Sequence, residues 1–333
     1  MTTKLLITGS AGFLGGRTAK YFASQKEKYS VVATSRRSER QRELEENNCN
    51  FMPGDLLQMN HCDEITKGVE VVVHCAALSS PWGNYKDFYQ ANFEATQNLL
   101  EASVRNHVKK FILISTPSVY YNHKNRFSIK ESDALPSQLI NHYASTKLLA
   151  EEMVIKQNGN GIKTLALRPR AIIGAEDMVI MPRLIRAYNS GKLKIIGNGK
   201  NICDLTCVRN VIEAIECSVN TVENAFGKAY NICNGEPVVL WDKINFVLKA
   251  LDLEPVKKKV PVSLALLFAS FIEKKHKLLG ISGEPDITKY GLGTLGVSMT
   301  LDISEAKQFL NYKPVQSTDE GLMEFIEWFK AAK

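Results

Sequence analysis

The chain has 333 residues, of which 44% are hydrophobic, so it can bury a large core in one large domain or two closely packed ones. Its formal net charge of +7 is spread along the sequence without a block of like charges, which does not favour a nucleic-acid groove. The N-terminal apolar run is too short for a signal peptide, and the longest apolar stretch, at 262–271, covers about half a bilayer span, so we expect a cytoplasmic protein.

Short apolar, β-branched runs alternate with helical patterns through the first half of the chain. The strand candidates lack polar alternation, which is typical of strands buried on both faces, and the helices between them act as right-handed crossovers. We therefore predict an α/β fold built on a doubly wound parallel sheet. The predicted elements are, in chain order, KLLITG, RTAKYFASQ, YSVVATSR, VEVVVHCAA, ANFEATQNLLEASVRN, KKFILIST, YASTKLLAEEMVIKQ and IKTLALRP.

The first predicted strand ends in a glycine-rich turn, TGSAGFLGG, which places Gly9, Gly12 and Gly15 in a GxxGxxG spacing. Where a strand passes into a helix, glycine permits a tight turn and the close approach of a pyrophosphate, and the helix N-terminus offers free N–H groups to the phosphates. The turn therefore predicts a dinucleotide site. A glycine-rich turn that binds no nucleotide is the alternative.

The second strand ends where dinucleotide-binding proteins contact the adenosine ribose. A carboxylate there accepts hydrogen bonds from a free 2′-hydroxyl, whereas this chain has Arg36 and Arg37, whose forked donors suit a 2′-phosphate. We therefore favour NADP(H) as the cofactor, with NAD(H) as the alternative. The alternative is that these two arginines lie in a solvated loop and bind no cofactor.

Two further strand ends can contribute to the cofactor site. Asp55 and Leu56 follow the third strand, where an adenine amino group and ring could be held. Ala76 and Ala77 follow the fourth strand, where small side chains permit close approach of the backbone to the cofactor. His74 lies alone on an apolar strand, so we interpret it as a packed core residue and not as a catalytic one.

The fifth strand carries Ser115 and Thr116 at its carboxyl end, and the following helix carries Tyr143 and Lys147. Residues at i and i+4 share a helix face, so Tyr143 and Lys147 can act on one bound molecule. A carbonyl that accepts hydride develops negative charge on its oxygen; a Tyr hydroxyl can deliver the proton, and a neighbouring Lys⁺ lowers the Tyr pKa toward the working pH. We therefore predict a catalytic pair, with Thr116 hydrogen-bonded to the same oxygen.

After Pro169 the pattern changes to separated helices and irregular segments rich in Gly and Pro. One stretch, VRNVIEAIECSVN followed by AFGKAYNIC, still indicates a helix that returns to the sheet. We predict a dinucleotide-binding domain of residues 1–169 and about 203–234, and a smaller, discontinuous substrate domain of about 170–202 and 235–333. The cleft between the two is the expected substrate site.

The apolar stretch VSLALLFASF at 262–271 lies between basic segments. We interpret it as a helix packed over the substrate cleft; the alternative is an interfacial helix that makes peripheral contact with a membrane surface. Either interpretation favours an apolar substrate.

The seven cysteines are scattered and lack CxxC spacing, which indicates reduced thiols. Cys203 and Cys207 could share a helix face as half of a metal site, but no His or Cys follows at ligand spacing. We therefore expect no metal.

The order of these motifs resembles that of the extended short-chain dehydrogenases/reductases, the superfamily of NAD-dependent epimerases and dehydratases, over nearly the whole chain. The segments that carry the resemblance are TGSAGFLG, ANFEATQNLLEA, YASTK and LRPRAIIG. Within the superfamily, LRPRAIIGAED and TLDISEAKQFLNYKP look most like the 3β-hydroxysteroid or sterol dehydrogenase branch. The fold that this implies is of the Rossmann type.

The resemblance implies that Tyr143 is the acid/base, that Lys147 is its electrostatic partner and an anchor for the nicotinamide ribose, and that Thr116 orients the substrate. Many members have serine in place of Thr116; threonine keeps the donor and acceptor and adds a methyl group. The resemblance also implies a homodimer formed through long helices. The cofactor contacts that it implies are Gly9, Ala11, Gly12, Phe13, Leu14, Gly15 and Pro169.

We favour an NAD(P)-dependent oxidoreductase that transfers hydride between the nicotinamide and a bulky apolar ketone or secondary alcohol, of 3β-hydroxysteroid or keto-acyl type. The alternative is a nucleotide-sugar epimerase or dehydratase with bound NAD, for which Arg183 and Arg186 could clamp a diphosphate. Arg36 in place of an acid, and TPS where 4,6-dehydratases show Thr followed by Asp-Glu, count against that alternative. A redox-sensing regulator normally lacks the Tyr/Lys pair that this chain retains.

Overall fold

A computed structural model of the chain describes residues 2–281, 283–285 and 287–332. Met1, Ser282, Asp286 and Lys333, which fall within the ranges of the predicted domains, lie outside the described residues. Strands and helices alternate regularly in the first half, as the sequence predicts. These elements are β1 (Thr3–Thr8), α1 (Phe13–Ser24), β2 (Tyr29–Thr34), α2 (Gln41–Glu46), β3 (Cys49–Phe51), α3 (Met59–Thr66), β4 (Val71–His74), α4 (Tyr85–Tyr89), α5 (Ala95–Arg105), β5 (Lys110–Ile114), β6 (Arg126–Ile129), α6 (His142–Lys156) and β7 (Lys163–Pro169).

The second half contains shorter strands and more separated helices. These elements are β8 (Ile172–Ile173), α7 (Ile180–Asn189), β9 (Ile195–Ile196), β10 (Ile202–Cys203), β11 (Thr206–Cys207), α8 (Val208–Asn220), β12 (Ala229–Ile232), β13 (Val238–Val239), α9 (Leu240–Ala250), β14 (Lys259–Val260), α10 (Val262–Leu278), α11 (Lys289–Gly296), β15 (Met299–Leu301), α12 (Ser304–Leu310) and α13 (Thr318–Ala331). Cys203 and Cys207 lie in two separate strands, so the helix face considered for them does not form.

Seven strands form the main sheet, in the order β12-β7-β5-β4-β1-β2-β3, and every neighbouring pair is parallel. The strand order reverses between β1 and β4, which is the position where doubly wound sheets open a ligand crevice at the carboxyl ends of the strands. The predicted doubly wound parallel sheet is confirmed. The predicted return to the sheet is also confirmed, because α8 leads to β12 beside β7.

Successive residues of the central strands pack on opposite faces of this sheet, which explains why the strands are apolar throughout. Leu5 and Ile7 of β1 belong to one hydrophobic cluster with Phe22 of α1. Leu6, between them, belongs to a second cluster with Leu99 of α5. Helices therefore cover both faces of the sheet.

A second sheet of four short strands, in the order β13-β10-β15-β6, lies apart from the main sheet, together with the two-stranded pairs β11-β8 and β14-β9. A third hydrophobic cluster joins α9 to α13 through Trp241 and Phe325, both fully buried. The division of the chain into two domains at the predicted residues remains a prediction.

The helix α10 contains the segment 262–271 that we interpreted as packed over the substrate cleft. It packs on the protein through the small residues Ala265 and Ala269, both buried, and its large apolar side chains point to solvent. We call these exposed side chains the outer face of α10; they are Leu264, Leu267, Phe268 and Phe271. Among the described residues, no helix is both long and apolar enough to cross a bilayer.

Candidate active site

The glycine-rich turn between β1 and α1 has a geometry that only glycine permits at two positions. Gly9 has φ +67°, and a Cβ there would lie 2.8 Å from the backbone nitrogen of Ala76. A Cβ on Gly15 would lie 2.4 Å from the carbonyl oxygen of Gly9. The N–H of Gly12 donates to the same carbonyl at 2.8 Å and closes the turn. The turn and the helix start therefore form the compact cradle that a pyrophosphate requires.

The N-terminus of α1 is free to bind an anion. Gly12 is the capping position and has no side chain, and the first turn, which begins with Phe13, contains no acidic residue. Ala11, Phe13 and Leu14 are half-buried around the turn. The unpaired N–H groups and the helix dipole of this end therefore point at one site without a competing carboxylate.

A buried hydrogen-bonded chain fixes the end of β4 against the glycine turn. The hydroxyl of Thr8 accepts from the N–H of Ala76 at 3.1 Å and lies 2.7 Å from Nδ1 of His74, whose Nε2 lies 2.9 Å from the hydroxyl of Thr96. Burial lowers the pKa of His74 to about 3, so the ring is neutral. His74 therefore holds the strand ends together, while Ala76 packs on Gly9 and Ala77 is exposed.

The predicted 2′-phosphate residues lie at the end of β2, on the surface. Arg36 and Arg37 are both exposed, and the nearest carboxylate to Arg37 is that of Glu39 at 3.9 Å. Arg40, which the sequence analysis did not select, lies closer to the glycine turn, with Nη1 3.5 Å from the carbonyl oxygen of Gly12. Its charge is already matched by Glu43 and Glu176, so Arg40 ties the turn to the surrounding protein and is not a free phosphate ligand.

The segment after β3 has a defined local structure at the predicted adenine position. The carboxylate of Asp55 accepts from the N–H of Leu57 at 3.0 Å. Leu56 is buried, and its carbonyl accepts from the side chain of Asn98 at 3.1 Å. Asp55 is half-buried, so one of its oxygens remains available to an adenine amino group.

The hydroxyl of Thr116 lies where β5 ends. It accepts from the N–H of Ser118 at 3.1 Å, as the cap of a short 3₁₀ helix at Pro117–Tyr120. Tyr143 lies at the start of α6, next to the capping residue Asn141. Burial raises the pKa of the Tyr143 phenol, and the nearby hydroxyls of Thr116 and Ser79 act in the opposite direction. The structure thus brings Thr116 and Tyr143 to one point.

Lys147 lies one turn after Tyr143 and is fully buried. Its Nζ donates to the carbonyl oxygen of Ile114 at 2.6 Å, so the ammonium lies at the carboxyl end of β5. Burial lowers the pKa of Lys147 to about 8, although the nearby groups of Glu151 and Cys75 act in the opposite direction. A buried ammonium held in this way favours the ionised form of a neighbouring phenol.

The depressed pKa of Lys147 predicts a specific pH dependence of stability. Between about pH 8 and the ordinary lysine value of 10.5, the unfolded chain binds this proton and the folded chain does not, so the free energy of unfolding rises with pH in that window. We expect urea unfolding to show that wild type gains stability relative to Lys147→Met across this range. Lys156→Met, at an exposed lysine on the same helix, is the control and should show no such trend.

A buried ion pair holds α6 against β7 behind the Tyr143 and Lys147 side chains. Arg168 donates from Nε to the carboxylate of Glu151 at 2.9 Å and from Nη2 to its other oxygen. Its Nη1 donates to the hydroxyl of Tyr120, which donates to Asn231 of β12 at 3.1 Å. Because Glu151 follows Lys147 by one further turn, the pair fixes the helix face that carries the site.

Three hydroxyl groups of this site were not found from the sequence. Ser79 follows Ala77 and reaches the phenol of Tyr143. Ser118 accepts from the hydroxyl of Thr116 at 3.0 Å and lies 2.8 Å from the hydroxyl of Tyr290, on α11. No local pattern marks Tyr290, because it comes from a helix 172 residues further along the chain.

Residues 5–233 match the family described as the NAD dependent epimerase/dehydratase family. This chain belongs to that family. The predicted superfamily is confirmed, and so is the likeness to the sterol dehydrogenases.

Relatives of this epimerase/dehydratase family member include two kinds of oxidoreductase. A 2-alkyl-3-oxoalkanoate reductase of Shewanella oneidensis is 30% identical over 328 residues, which cover 95% of this chain and 84% of the relative. A sterol-4-alpha-carboxylate 3-dehydrogenase, decarboxylating, of Mus musculus is 29% identical and covers 98% of this chain and 91% of the relative. A solved structure of UDP-glucuronic acid 4-epimerase from Bacillus cereus in complex with NAD has a TM-score of 0.76 at 26% identity, and 99% of each chain is covered.

The residues of this epimerase/dehydratase chain fit a dinucleotide. The glycine cradle leaves no room for side chains, the helix end is free, and the buried hydroxyls of Ser10 and Ser115 have no hydrogen-bond partner among the described residues. Pro169 is buried at the end of β7, beside the strand that carries Ser115. In the parts of the chain that the structure describes, no three His, Cys, Asp or Glu side chains converge on a metal site.

Proposed function

We propose that the chain is an NAD(P)-dependent oxidoreductase that interconverts a 3-oxo acid and its 3-hydroxy acid, in which the remainder of the molecule is bulky and apolar. The observation that carries the proposal is the convergence of Thr116, Tyr143 and Lys147 at the carboxyl end of β5, next to a dinucleotide cradle. The relatives point to the substrate class. A 3-oxoalkanoate and a 3-keto sterol 4-carboxylate both carry a carboxyl group on the carbon next to the reacting one.

The proposed chemistry assigns one role to each side chain. The nicotinamide supplies or accepts the hydride. In the direction of reduction, the carbonyl carbon gains the hydride while the oxygen takes the proton of the Tyr143 hydroxyl, so an alcohol forms. The hydroxyl of Thr116, which donates to Ser118 in the free protein, turns to donate its hydrogen bond to the same oxygen. The buried ammonium of Lys147 stabilises the phenolate that remains. In the direction of oxidation, the ionised Tyr143 takes the proton back.

A buried arginine supports the assignment of an acidic substrate. Arg170 follows Pro169 directly, and its buried Nε has no hydrogen-bond partner among the described residues. The nearby carboxylate of Asp204 accepts from the N–H of Leu301 at 2.6 Å and forms no direct ion pair with Arg170. Burial raises the pKa of Asp204, and the charge of Arg170 acts against this only from beyond ion-pair distance. A buried guanidinium without an ion pair is costly, so an anion that neutralises it binds favourably. The substrate carboxylate is that anion in our proposal.

The role of Arg170 predicts a difference between an acid and its ester. We expect Arg170→Gln to raise the KM for a long-chain 3-oxo acid by at least ~10-fold, the scale of a charge-assisted hydrogen bond, and to leave the KM for the methyl ester nearly unchanged. Arg183→Gln, at an exposed arginine paired with Glu284, is the control. Equal effects on acid and ester would remove Arg170 from substrate recognition.

The cofactor preference is a separate proposal, carried by the exposed Arg36 and Arg37. At low ionic strength we expect NADPH to bind roughly tenfold more tightly than NADH, which corresponds to about 1.4 kcal/mol, and added salt to reduce the difference. Arg36→Gln with Arg37→Gln should remove it. Arg42→Gln, at a solvated arginine nearby, is the matched control. Equal dissociation constants in wild type would show that these arginines do not bind a 2′-phosphate.

The nucleotide-sugar alternative is supported by the likeness to solved NAD-bound epimerases but not by the arginines considered for a diphosphate clamp. Arg183 and Arg186 are exposed on α7, and Arg183 is paired with Glu284 at 3.0 Å. The deciding experiment is to follow NADPH and NADH oxidation with long-chain 3-oxo acids, 3-keto steroids and UDP-hexoses, and sugar isomerisation separately. Turnover restricted to UDP-hexoses would contradict the proposal.

The predicted domain division and the homodimer also remain proposals. The separate hydrophobic cluster that joins α9 to α13 supports the first. Sedimentation velocity of the purified chain would test the second.

A further inference from the structure

The outer face of α10 is a run of exposed large apolar side chains on one helix. Leu267 and Phe271 are 69% and 67% exposed, and Leu264 and Phe268 lie beside them on the same side of the helix. Leu278 and Leu279 continue the surface at the helix end and are also exposed. Single exposed apolar side chains are ordinary, but a continuous group on one helix marks an interaction surface.

Lysines lie at both ends of this apolar surface. The helix follows three consecutive exposed lysines and ends in three more. These six residues are Lys257, Lys258, Lys259, Lys274, Lys275 and Lys277. Two carboxylates offset part of this charge: Glu254 pairs with Lys257 at 3.8 Å, and Glu273, the one carboxylate on the helix, accepts a hydrogen bond from the N–H of Lys289 at 2.7 Å. The six lysines still leave an excess of positive charge. The surface is therefore apolar in the middle and positively charged at its ends.

The opposite side of α10 borders the candidate active site. The ring of His276 contacts that of Trp82 at 6.2 Å, and Nζ of Lys277 lies 5.6 Å from the same ring. Trp82 follows the segment that carries Ser79. Through Glu273 the helix also holds the start of α11, which carries Tyr290. A surface that engages the outer face of α10 would thus be separated from Trp82 by the width of one helix.

We propose that the outer face of α10 docks on the surface of an anionic phospholipid membrane. A helix that lies in the interface buries its apolar side chains among the acyl chains while lysines contact the headgroups, and each lysine near an anionic surface adds to the attraction. The helix does not cross the bilayer. In this orientation the segment that carries Ser79 and Trp82 lies one helix away from the lipid, where a bulky apolar substrate partitions.

A second copy of this chain fits the same surface less well. In a two-fold symmetric contact, the surface meets itself, so that Lys274 and Lys275 of one copy approach the same positive region of the other. The single carboxylate of α10, Glu273, is outnumbered by these lysines. An anionic membrane supplies the opposite charge that a second copy lacks.

The test is flotation of the full chain with vesicles of phosphatidylcholine alone and of phosphatidylcholine mixed with phosphatidylglycerol. We expect binding to the anionic vesicles that weakens with salt. Leu267→Ser with Phe271→Ser should weaken it by at least ~10-fold, because several apolar groups are no longer buried. Lys274→Glu with Lys275→Glu should weaken binding to the anionic vesicles by a similar factor.

The control variant removes equally exposed apolar side chains elsewhere on the protein. Val222 and Phe127 are 69% and 57% exposed, and Val222→Ser with Phe127→Ser should bind as wild type does. Failure of wild type to bind anionic vesicles, or equal binding by the α10 variant and the control, would overturn the proposal. So would a dimer that Leu267→Ser with Phe271→Ser converts to a monomer without any vesicle binding.

Flotation needs no substrate, so its outcome does not depend on the proposed function. The effect of docking on catalysis does rest on the proposed function. We expect anionic vesicles to raise kcat/KM for a long-chain 3-oxo acid and not for a short, water-soluble one. Vesicle binding without this activation would leave the docking intact and contradict only the link to substrate delivery.

Discussion

We expect Tyr143→Phe to lower kcat by at least about 100-fold while the dissociation constant for the cofactor stays nearly unchanged. The substitution keeps the ring beside Thr116 and removes the hydroxyl that we propose to exchange a proton with the substrate oxygen. General acid/base catalysis contributes on this scale. Steady-state kinetics and nucleotide titration of the purified variant provide the two measurements.

Tyr89→Phe is the matched control for this experiment, because Tyr89 is also a half-buried tyrosine on a helix and stacks on Phe93 away from Thr116. It should retain the kcat of wild type. A Tyr143→Phe variant that turns over at a rate near that of wild type would exclude Tyr143 as the acid/base.

The second large effect concerns the buried ion pair behind the site. We expect Glu151→Ala to lower the free energy of unfolding by about 3–5 kcal/mol, because Arg168 then remains charged and buried without its carboxylate. Replacing both partners, as Glu151→Leu with Arg168→Met, should recover much of the loss, since apolar side chains fill the same space without a charge. Urea unfolding monitored by circular dichroism measures both variants.

The exposed pair Arg42 and Glu46 provides the comparison for this prediction. Glu46→Ala removes one member of an i, i+4 pair in solvent and should cost less than about 1 kcal/mol. If Glu151→Ala lowers the free energy of unfolding by no more than Glu46→Ala does, the buried pair stabilises the protein no more than the exposed pair, and the prediction is wrong.

The sequence identifies the sheet and the Tyr143 helix because their signals are local. The apolar runs at β1 and β4 predict buried strands, and the steric demands at Gly9 and Gly15 are visible as a spacing. Once the strands are predicted, their carboxyl ends are too, and these ends are followed by Ala76 and Thr116. The likeness to a family then adds the roles, which the fold by itself does not supply.

Other features depend on contacts between distant segments and leave no local pattern. Tyr290 reaches Ser118 only after α11 packs beside the short helix that follows β5, so its part in the site cannot be deduced from its neighbours in sequence. Arg40 lies against the glycine turn although Arg36 and Arg37 are nearer the strand end. The helix α10 is apolar on two sides, so its pattern does not decide whether Ala265 or Leu267 faces the protein.

The position of β12 beside β7 has a consequence for synthesis on the ribosome. The strand β7 is complete at Pro169, but its outer neighbour begins about sixty residues later, at Ala229. At roughly 5–20 residues per second, the nascent chain carries an open β7 edge for about 3–12 s, with N–H and C=O groups that another chain could pair with. A chain that ends before Ala229 would keep this edge permanently, so we expect such fragments to aggregate.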